Sequence, residues 1–300
     1  MGSPLRQSSD MWGRMRSLDS VAASVQQGAN KLYGALGRPV TNALHGVWFG
    51  HYLHPVTVTL TGGAFGTAAI LDAGGEALRP GADAAVTIGV ISSLTSAATG
   101  MNDWRYTDGE ARRVGLIHAA LNTTVLGLYL WSLGLRAGGQ RGRARGVGWL
   151  AFGLLSYSSY LGGELVETYH IGVNNAMRAG VTLPDDFTPV MREAELRDGQ
   201  AHHGQAGDVG VVLVRHEGEI CALADACTHL GGPLSEGTVE DGAIVCPWHS
   251  SRFSVRDGSV IDGPATISQP RFEMRVRDGM IEVRPEMHHP SPAGENREMS

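Results

Sequence analysis

The sequence has little cysteine, no basic stretch interleaved with aromatic residues, and no apolar run of signal-peptide length among its first residues. Three cysteines among 300 residues cannot build a disulfide framework. A net charge of −6, without basic runs interleaved with aromatic residues, gives no support to nucleic-acid binding. The first 30 residues lack an apolar core of signal-peptide length, so cleavage by a signal peptidase is not expected.

Charged residues are also missing from four long stretches in the first half of the chain. Each stretch approaches the roughly 20 residues that a helix needs to cross the hydrocarbon core. All four are rich in small residues, which suit close helix contacts in lipid. Buried helices of a soluble protein are the alternative interpretation. We predict a four-helix transmembrane domain over residues 46–173, with spans near residues 55–71, 84–102, 114–135 and 146–166.

Aromatic and basic residues outside these stretches indicate an orientation. Basic residues are more numerous on the side that carries the N-terminus. We therefore expect a protein of the bacterial inner membrane with both termini in the cytoplasm. The basic loop "RAGGQRGRAR" favours the opposite orientation. Residues 1–45 are then an N-terminal cytoplasmic segment, in which Ser17–Leu36 forms either a helix on the membrane surface or an ordinary soluble helix. Aromatic rings that favour the headgroup layer flank the spans at Trp48, Tyr52, Trp104, Tyr106 and Trp149.

Four histidines fall near one membrane face because successive spans alternate in direction. Ionisable residues at membrane depth are candidates for function. His54 and His118 lie at comparable depth in the first and third spans, where two imidazoles could bind the iron of haem b. A quinone site, a proton relay, or simple hydrogen bonding to helix carbonyls are the alternatives. The four candidates are His51, His54, His118 and His170.

Several phrases of this half resemble a known group of membrane proteins. "GHYLHP", "ATGMNDW", "RRVGLIHAALN" and "YLGGELV" look like a family of bacterial four-helix membrane proteins of unknown function, over roughly residues 45–175. The sequence departs from that pattern after His54, where "VTVTLTGG" lacks an acidic or histidine position and a proline. Glu164 also stands where histidine is frequent in the family. The resemblance implies architecture and almost no biochemistry.

The second half has a sequence pattern typical of short strands. After a linker at residues 174–188, short apolar or alternating runs are separated by turns rich in Gly, Asp and Pro. This pattern predicts an all-β domain of short antiparallel strands at residues 189–286. "RDGM" between two runs predicts a tight hairpin turn. Residues 287–300 are expected to be a disordered tail in which His288 and His289 are solvated.

Two of the three cysteines each stand beside a histidine in this domain. Cys227-x-His229 and Cys246-x-x-His249 are separated by 16 residues. Two thiolates and two imidazoles could make a tetrahedral zinc site or hold a [2Fe-2S] cluster with unlike ligands on its two irons. A zinc finger places its cysteines together and its histidines together, whereas each block here contains one of each. The spacing therefore favours two facing loops around a cluster. Cys221, in an apolar run, is expected to be an inert strand residue.

The two blocks resemble the Rieske family closely, over about residues 189–285. "CTHLGGPL" and "CPWHSSRF" match both ligand motifs, and "DGSVIDGPA" follows at the expected place. The resemblance implies that Cys227 and Cys246 bind the iron that stays ferric, and that His229 and His249 bind the redox-active iron. It also implies a surrounding layer formed by Gly231, Gly232, Pro233, Trp248, Ser251 and Phe253.

Departures within the blocks indicate the type of Rieske domain. Family members of respiratory quinol–cytochrome c reductases carry an extra disulfide between the loops, and Gly232 and Trp248 stand at those positions here. Ser251 matches a serine whose hydroxyl bonds to cluster sulfur, but Phe253 replaces a tyrosine with a similar role. Because a lost hydrogen bond to sulfur disfavours the reduced cluster, we expect a ferredoxin-like potential of roughly −150 to 0 mV.

These features predict a membrane-anchored Rieske protein that carries single electrons between redox partners. No second domain with two histidines and a carboxylate follows residue 286, so an electron carrier or oxidoreductase subunit is favoured over a self-contained enzyme, and no catalytic residue is assigned. The expected partners are the lipid bilayer and unidentified donor and acceptor proteins. A quinone- or haem-linked redox protein and a redox- or iron-sensing membrane module without turnover are the alternatives.

Overall fold

The chain divides into a helical unit and a strand unit. The computed structural model describes residues 4–176, 184 and 186–286. The helical unit comprises Met1–Val173 with Asp262–Ile267, and the strand unit comprises Asn174–Ile261 with Ser268–Ser300. The tail predicted at residues 287–300, with His288 and His289, lies outside the described residues, as do residues 177–183 and 185 of the predicted linker.

Six α-helices, not four, form the described part of the helical unit, which corrects the predicted four-helix fold class. The two additional helices precede the predicted spans and are mixed in polarity, so a search for charge-free stretches did not count them. The second continues past the predicted Ser17–Leu36 through a kink at Gly37 (φ 76°). The helices are α1 (Pro4–Arg14), α2 (Asp19–His45), α3 (Leu53–Ala73), α4 (Arg79–Trp104), α5 (Gly109–Ala137) and α6 (Arg141–Glu167).

Three segments of the described chain are long and apolar enough to cross a membrane. They are α3, α4 together with the short turn before it (Glu76–Trp104), and α5. Helix α6 covers the fourth predicted span but does not reach the same apolarity. Its first turn carries Arg141, Arg143 and Arg145, and its remainder is rich in glycine and serine. Its small and basic residues therefore make α6 less apolar than the other three segments.

Helices α3–α4 and α5–α6 form two hairpins whose equivalent residues meet. Phe65 of α3 and Tyr129 of α5 stack with ring centroids 3.7 Å apart and planes within 2°. Seven residues further along each helix, Asp72 and Arg136 form a buried ion pair (Nη1–Oδ1 3.1 Å). The two members of each pair are 64 positions apart in the sequence. Residues spaced by seven share a face of an α-helix, so one stripe of α3 packs against the matching stripe of α5.

The first two helices are tied to these hairpins through polar contacts. Trp12 of α1 donates its indole N–H to the hydroxyl of Tyr157 in α6 (2.9 Å). The guanidinium of Arg113 in α5 binds Asp19 at the start of α2 (2.8 Å). The hydroxyl of Tyr33 donates to a backbone carbonyl of α4 (2.7 Å). These bonds explain why α1 and α2 hold defined positions although neither is strongly apolar.

In the part of the second half that the structure describes, ten short strands form three antiparallel sheets, which confirms the predicted all-β fold of this part. The sheets have the orders β1-β10-β9, β2-β3-β4 and β5-β6-β7-β8. The strands are β1 (Thr188–Arg192), β2 (Ala201–Ala206), β3 (Val209–His216), β4 (Glu219–Ala224), β5 (Thr238–Glu240), β6 (Ala243–Val245), β7 (Arg252–Ser254), β8 (Val260–Asp262), β9 (Phe272–Arg277) and β10 (Met280–Pro285).

Local sequence accounts for the main features of these sheets. Strand β3 has the sequence "VGVVLVRH", and its branched side chains fit the buried centre of a sheet. The predicted "RDGM" hairpin joins β9 to β10, where Arg277 pairs with Met280 across a two-residue turn. Asp278 and Gly279 both have positive φ (51° and 73°), as a type I′ turn requires. The core lies between β3, β4 and the β9–β10 hairpin, and includes Leu213 and Ile281.

Candidate metal centre

The four candidate ligands lie on two loops that leave neighbouring strands. Residues 225–235, here called the first loop, follow β4 and carry Cys227 and His229. Residues 246–251, the second loop, join β6 to β7 and carry Cys246 and His249. Both thiols and the first imidazole are buried, whereas the second imidazole is partly exposed. The fold therefore brings together four donors that are up to 22 positions apart in the sequence.

Backbone hydrogen bonds close the first loop on itself. The N–H of Cys227 donates to the carbonyl of Gly232 (2.8 Å), and the N–H of Gly231 donates back to the carbonyl of Cys227 (2.8 Å). Gly231 has φ 78°, a left-handed conformation that glycine adopts without a steric penalty. The glycine pair "GG" thus allows the loop to turn within a few residues of its first thiol.

The second loop closes in a similar way. The N–H of Cys246 donates to the carbonyl of Ser251 (2.9 Å), and the N–H of Ser250 donates to the carbonyl of Cys246 (3.0 Å). Ser250 has φ 59°, which is uncommon for a residue with a side chain. Each loop is therefore a tight turn with its cysteine at the base, fixed by a reciprocal pair of bonds.

The two thiols face each other and share a hydrogen bond. The bond with Cys246, together with burial, raises the pKa of the Cys227 thiol. The same bond lowers the pKa of Cys246 to about 7 although burial opposes the shift. In the metal-free protein one proton is thus held between two sulfurs. A metal ion binds cysteine as the thiolate, so binding at this site would release protons.

Backbone N–H groups also point at both sulfurs. Each thiol accepts hydrogen bonds from two N–H groups of its own loop, and these bonds oppose the rise in the pKa of Cys227 and contribute to the lowered pKa of Cys246. Such bonds stabilise negative charge on sulfur, whether on a free thiolate or on a thiolate bound to iron. The donors are His229 and Leu230 for Cys227, and Trp248 and His249 for Cys246.

The two imidazoles lie beside each other on the outer side of the loops. The rings of His229 and His249 are perpendicular (88°), with centroids 4.9 Å apart. Among the described residues, no group of three or more His, Cys, Asp and Glu side chains converges on a point where one metal ion could bind. A [2Fe-2S] cluster takes two ligands on each of two irons. Paired thiols and paired imidazoles fit such a two-iron cluster.

Close packing between the loops leaves no room for a side chain at Gly232. A Cβ atom there would be 2.9 Å from the indole of Trp248 and 3.0 Å from the sulfur of Cys246. The two positions where respiratory members carry a disulfide are thus adjacent, and an indole occupies the space between the loops. The donor set and this close approach both fit an iron–sulfur cluster held between two loops.

Comparisons with known proteins agree with this geometry. Residues 186–273 match the Rieske [2Fe-2S] domain. The ferredoxin subunit of anthranilate 1,2-dioxygenase from Burkholderia cepacia is 36% identical over 78 residues, which are 26% of this chain and 72% of the relative.

The chain belongs to the Rieske [2Fe-2S] family.

Other relatives of this Rieske protein differ in how much of their length is matched. The ferredoxin subunit of 3-phenylpropionate/cinnamic acid dioxygenase from Photorhabdus laumondii is 36% identical over 90 residues, 30% of this chain and 85% of the relative. Apoptosis-inducing factor 3 of Mus musculus is 32% identical over 90 residues, 30% of this chain but only 15% of the relative. The match to the Rieske domain and the ferredoxin relatives support a Rieske-type [2Fe-2S] cluster as the cofactor.

The helical unit matches a second family. Residues 50–175 match a family of predicted membrane proteins, DUF2231. This match and that of the Rieske domain confirm the predicted fusion of a membrane domain to a Rieske domain. Because the family has no described activity, the match supports a membrane location and says nothing of chemistry.

The structure separates the four membrane histidines into two kinds. His51 and His170 are exposed. His54 donates from Nδ1 to the carbonyl of Ser96 in α4 (3.0 Å), and His118 donates from Nδ1 to the carbonyl of Ser158 in α6 (2.8 Å). His54 and His118 are again 64 positions apart, so each fastens the two helices of its own hairpin.

Hydrogen bonding at His118 also involves its second ring nitrogen. Asn122 donates its side-chain amide to Nε2 (3.0 Å), so both nitrogens of this ring have partners. These bonds match the interpretation in which the histidines bond to neighbouring helices. Haem or quinone binding by His54, His118, His51 or His170 stays a prediction.

The surrounding residues named from the sequence lie close to the two loops. Ser251 and Phe253 are fully buried, Pro233 is half-buried, and Trp248 is 56% exposed at the tip of the second loop. Cys221 lies in β4, half-buried, and burial raises the pKa of its thiol. Two of the three cysteines are therefore in the loops and the third is apart from them.

Sequence reasoning missed several residues that hold the first loop. Asp225 accepts hydrogen bonds from the backbone and hydroxyl of Ser235 (2.7 and 3.0 Å) and from His203 (2.9 Å). Gln269 is 2% exposed and accepts from the N–H of Thr228 (3.1 Å), while its amide donates to two carbonyls before Cys227 (2.7 and 2.6 Å). No spacing rule connects these residues to the ligand motifs, because they meet only through the fold.

Proposed function

We propose that this protein is a membrane-anchored Rieske protein that carries single electrons between a donor and an acceptor. The observation that carries the proposal is the pairing of the two loops. Two hydrogen-bonded thiols face each other, and two imidazoles lie 4.9 Å apart beside them. A bound [2Fe-2S] cluster supplies one-electron redox chemistry. The chain's own residues supply its ligands, the N–H bonds to sulfur and the exclusion of water.

Each loop contributes one ligand to each iron in this proposal. Cys227 and Cys246 hold the iron that stays ferric, and His229 and His249 hold the iron that changes oxidation state. The burial of both thiols and the partial exposure of His249 support this division. An exposed imidazole on the redox-active iron gives an electron a short path to the surface.

Four helices of the helical unit, α3 to α6, span the bilayer in this proposal. Helix α6 is the least apolar of them, and its packing against α5 supports its inclusion because small residues favour close contact between helices in lipid. The excess of basic residues on the N-terminal side places both termini in the cytoplasm. A cluster domain without a loop disulfide fits that reducing compartment.

The partners are a separate electron donor and a separate acceptor. Two relatives that are matched over most of their length are named as ferredoxin subunits of dioxygenases, and a third as the ferredoxin component of an alkene monooxygenase system. Their names support a carrier that works with other redox proteins over one in which the substrate reacts on the same chain. We expect a reduction potential of roughly −150 to 0 mV, at the low end of the Rieske range. The support is Phe253, which offers no hydroxyl to the cluster.

The proposal is tested on the full chain purified from membranes. We expect two irons and two acid-labile sulfides per chain, and an electron paramagnetic resonance signal that appears on one-electron reduction. Cys246→Ser should abolish both the sulfide and the signal, whereas the matched control Cys221→Ser should retain them. Bound zinc without acid-labile sulfide in the unaltered protein would contradict the proposal.

A further inference from the structure

Asn175 lies outside the two ligand motifs and contacts the first loop twice. It is the last residue of the segment that matches the membrane family, and it is 4% exposed. Its backbone N–H donates to the carbonyl of Thr228 (3.1 Å). Its side-chain amide donates to the carbonyl of His229 (2.7 Å). Both bonds lie within the strand unit.

These two carbonyls belong to a particular pair of peptide groups. The carbonyl of Thr228 shares its peptide group with the N–H of His229, and the carbonyl of His229 shares its peptide group with the N–H of Leu230. Those two N–H groups are the ones that donate to the sulfur of Cys227. Asn175 therefore donates to the carbonyl oxygens of the two peptide groups whose N–H groups donate to the sulfur of Cys227.

A hydrogen bond to a peptide carbonyl polarises the N–H of the same peptide group. Hydrogen bonds in such chains strengthen one another, by perhaps 10–30% per bond in condensed phases. The planar peptide also transmits orientation, so fixing the carbonyl fixes the direction of the N–H.

We propose that Asn175 is a positioning residue that sets the reduction potential of the cluster by aligning and polarising the two N–H bonds to the sulfur of Cys227. The inference rests on the proposed ligand set. Reduction adds one negative charge to the cluster, and N–H bonds to sulfur stabilise that charge. Weakening them makes reduction less favourable, so loss of the Asn175 side chain lowers the potential.

The magnitude follows from the strength of the bonds involved. Between about 10 and 30% of the strength of a hydrogen bond to a charged group depends on the neighbouring bond in the chain. Removing the Asn175 amide should therefore reduce the equilibrium constant for one-electron reduction by a factor of about 1.3 to 5. At 59 mV per tenfold change for one electron, the potential falls by about 7–40 mV.

The test compares Asn175→Leu with Asn174→Leu in the full chain. Leucine has nearly the shape of asparagine but donates no hydrogen bond. Asn174 is exposed, and its side chain accepts from the N–H of Ala176 rather than contacting the first loop. Each protein is titrated with dithionite, which donates one electron per cluster, while the electron paramagnetic resonance signal is recorded. Iron and sulfide contents are measured on the same samples.

We expect Asn175→Leu to keep its iron and sulfide while its potential falls by about 7–40 mV, and Asn174→Leu to match the unaltered protein. An unchanged potential in Asn175→Leu, with the cluster intact, would overturn the inference and leave the proposed function standing. Loss of the cluster from both Asn175→Leu and Asn175→Ala would also overturn it, by assigning Asn175 a structural role only. A cluster-free unaltered protein would refute the proposed function itself.

Discussion

Gly232 is the position where a single methyl group should most directly disturb the cluster site. A Cβ there would stand 2.9 Å from the indole of Trp248 and 3.0 Å from the sulfur of Cys246. Carbon atoms in good contact are about 3.5–4.0 Å apart, so Gly232→Ala forces one or both neighbours to move. The indole is half-exposed and can turn outwards, whereas the sulfur is held as a ligand in the proposed site. Overpacking of this kind costs about 1–3 kcal/mol.

The loss of the cluster in mild denaturant gives the assay for this substitution. Because cluster release is irreversible, the rate at which visible absorbance decays is measured. If the whole cost falls on the folded state, Gly232→Ala should lose its cluster roughly 5- to 150-fold faster, since each 1.36 kcal/mol is tenfold in rate. Trp248→Ala removes the indole and leaves the sulfur. In that background Gly232→Ala should still accelerate release, but by a smaller factor.

The comparison of the two backgrounds decides whether the reasoning is right. Equal acceleration with and without Trp248 would mean that the indole is not in contact with Gly232. The release rate of Gly232→Ala is compared with that of the unaltered protein, and the rate of the double variant with that of Trp248→Ala. Both ratios within twofold of one would refute the close approach altogether.

Three further predictions concern other parts of the chain. Phe253→Tyr should raise the reduction potential by about 40–90 mV if its hydroxyl donates to sulfur, because one such bond contributes about 1–2 kcal/mol; a redox titration measures it. Arg136→Gln should destabilise the helical unit by about 3 kcal/mol by leaving Asp72 without its main partner, measured by thermal unfolding in detergent. Cys221→Ser leaves only the two loop thiols to titrate. In the metal-free form of this variant, the thiol of Cys246 should become a thiolate near pH 7, measured as the rise in thiolate ultraviolet absorbance during a pH titration.

Each of these has an outcome that opposes it. A potential for Phe253→Tyr equal to or below that of the unaltered protein would remove the explanation offered for a low potential. For Arg136→Gln, an unchanged unfolding temperature would mean that the ion pair contributes nothing, and the double variant with Asp72→Asn should recover part of the loss. Absence of thiolate below pH 9 would contradict the shared proton.

Stability of the metal-free loops should follow the same pH dependence. The pKa of Cys246 is lowered on folding from its ordinary value near 9 to about 7. A lowered pKa contributes stability above the unfolded value, and that contribution is lost as the pH falls through about 7. The raised pKa of Cys227 acts in the opposite direction, so the net change is smaller than either shift alone.

The two loops that carry the candidate ligands were predictable because each cysteine stands a short distance in sequence from a histidine. Cys227, His229, Cys246 and His249 are each within three positions of a partner, and turns rich in glycine need only local sequence. The same holds for the β9–β10 hairpin, whose Asp-Gly turn fixes its register. Local rules of this kind do not depend on what the rest of the chain does.

Asn175 was not predictable for the opposite reason. Its bonds to the first loop cross 53 and 54 positions of sequence and depend on how the chain enters the strand unit. A search for linkers assigned it to a polar connection. Hydrogen bonds between a side chain and a distant carbonyl leave no periodic signal, so only the folded structure reveals them.

The contact between equivalent positions of the two helical hairpins could not be predicted from the sequence either. Their equivalent positions hold unlike residues, Phe65 with Tyr129 and Asp72 with Arg136. Two aromatic residues at equivalent positions resemble each other, but an acid and a base do not. Because equivalent positions of the two hairpins contact each other, an ion pair there requires opposite charges, and the hairpins therefore show little sequence similarity.

The most direct test of the central claim is the number of imidazoles bound to the reduced cluster. Pulsed electron paramagnetic resonance of the full chain, with nitrogen-15 introduced only into histidine, reports histidine nitrogens bound to the reduced iron. We predict two coupled histidine nitrogens in the unaltered protein. His249→Ala should remove one of them or abolish the cluster. A reduced cluster without histidine coupling would contradict the assignment of a Rieske centre.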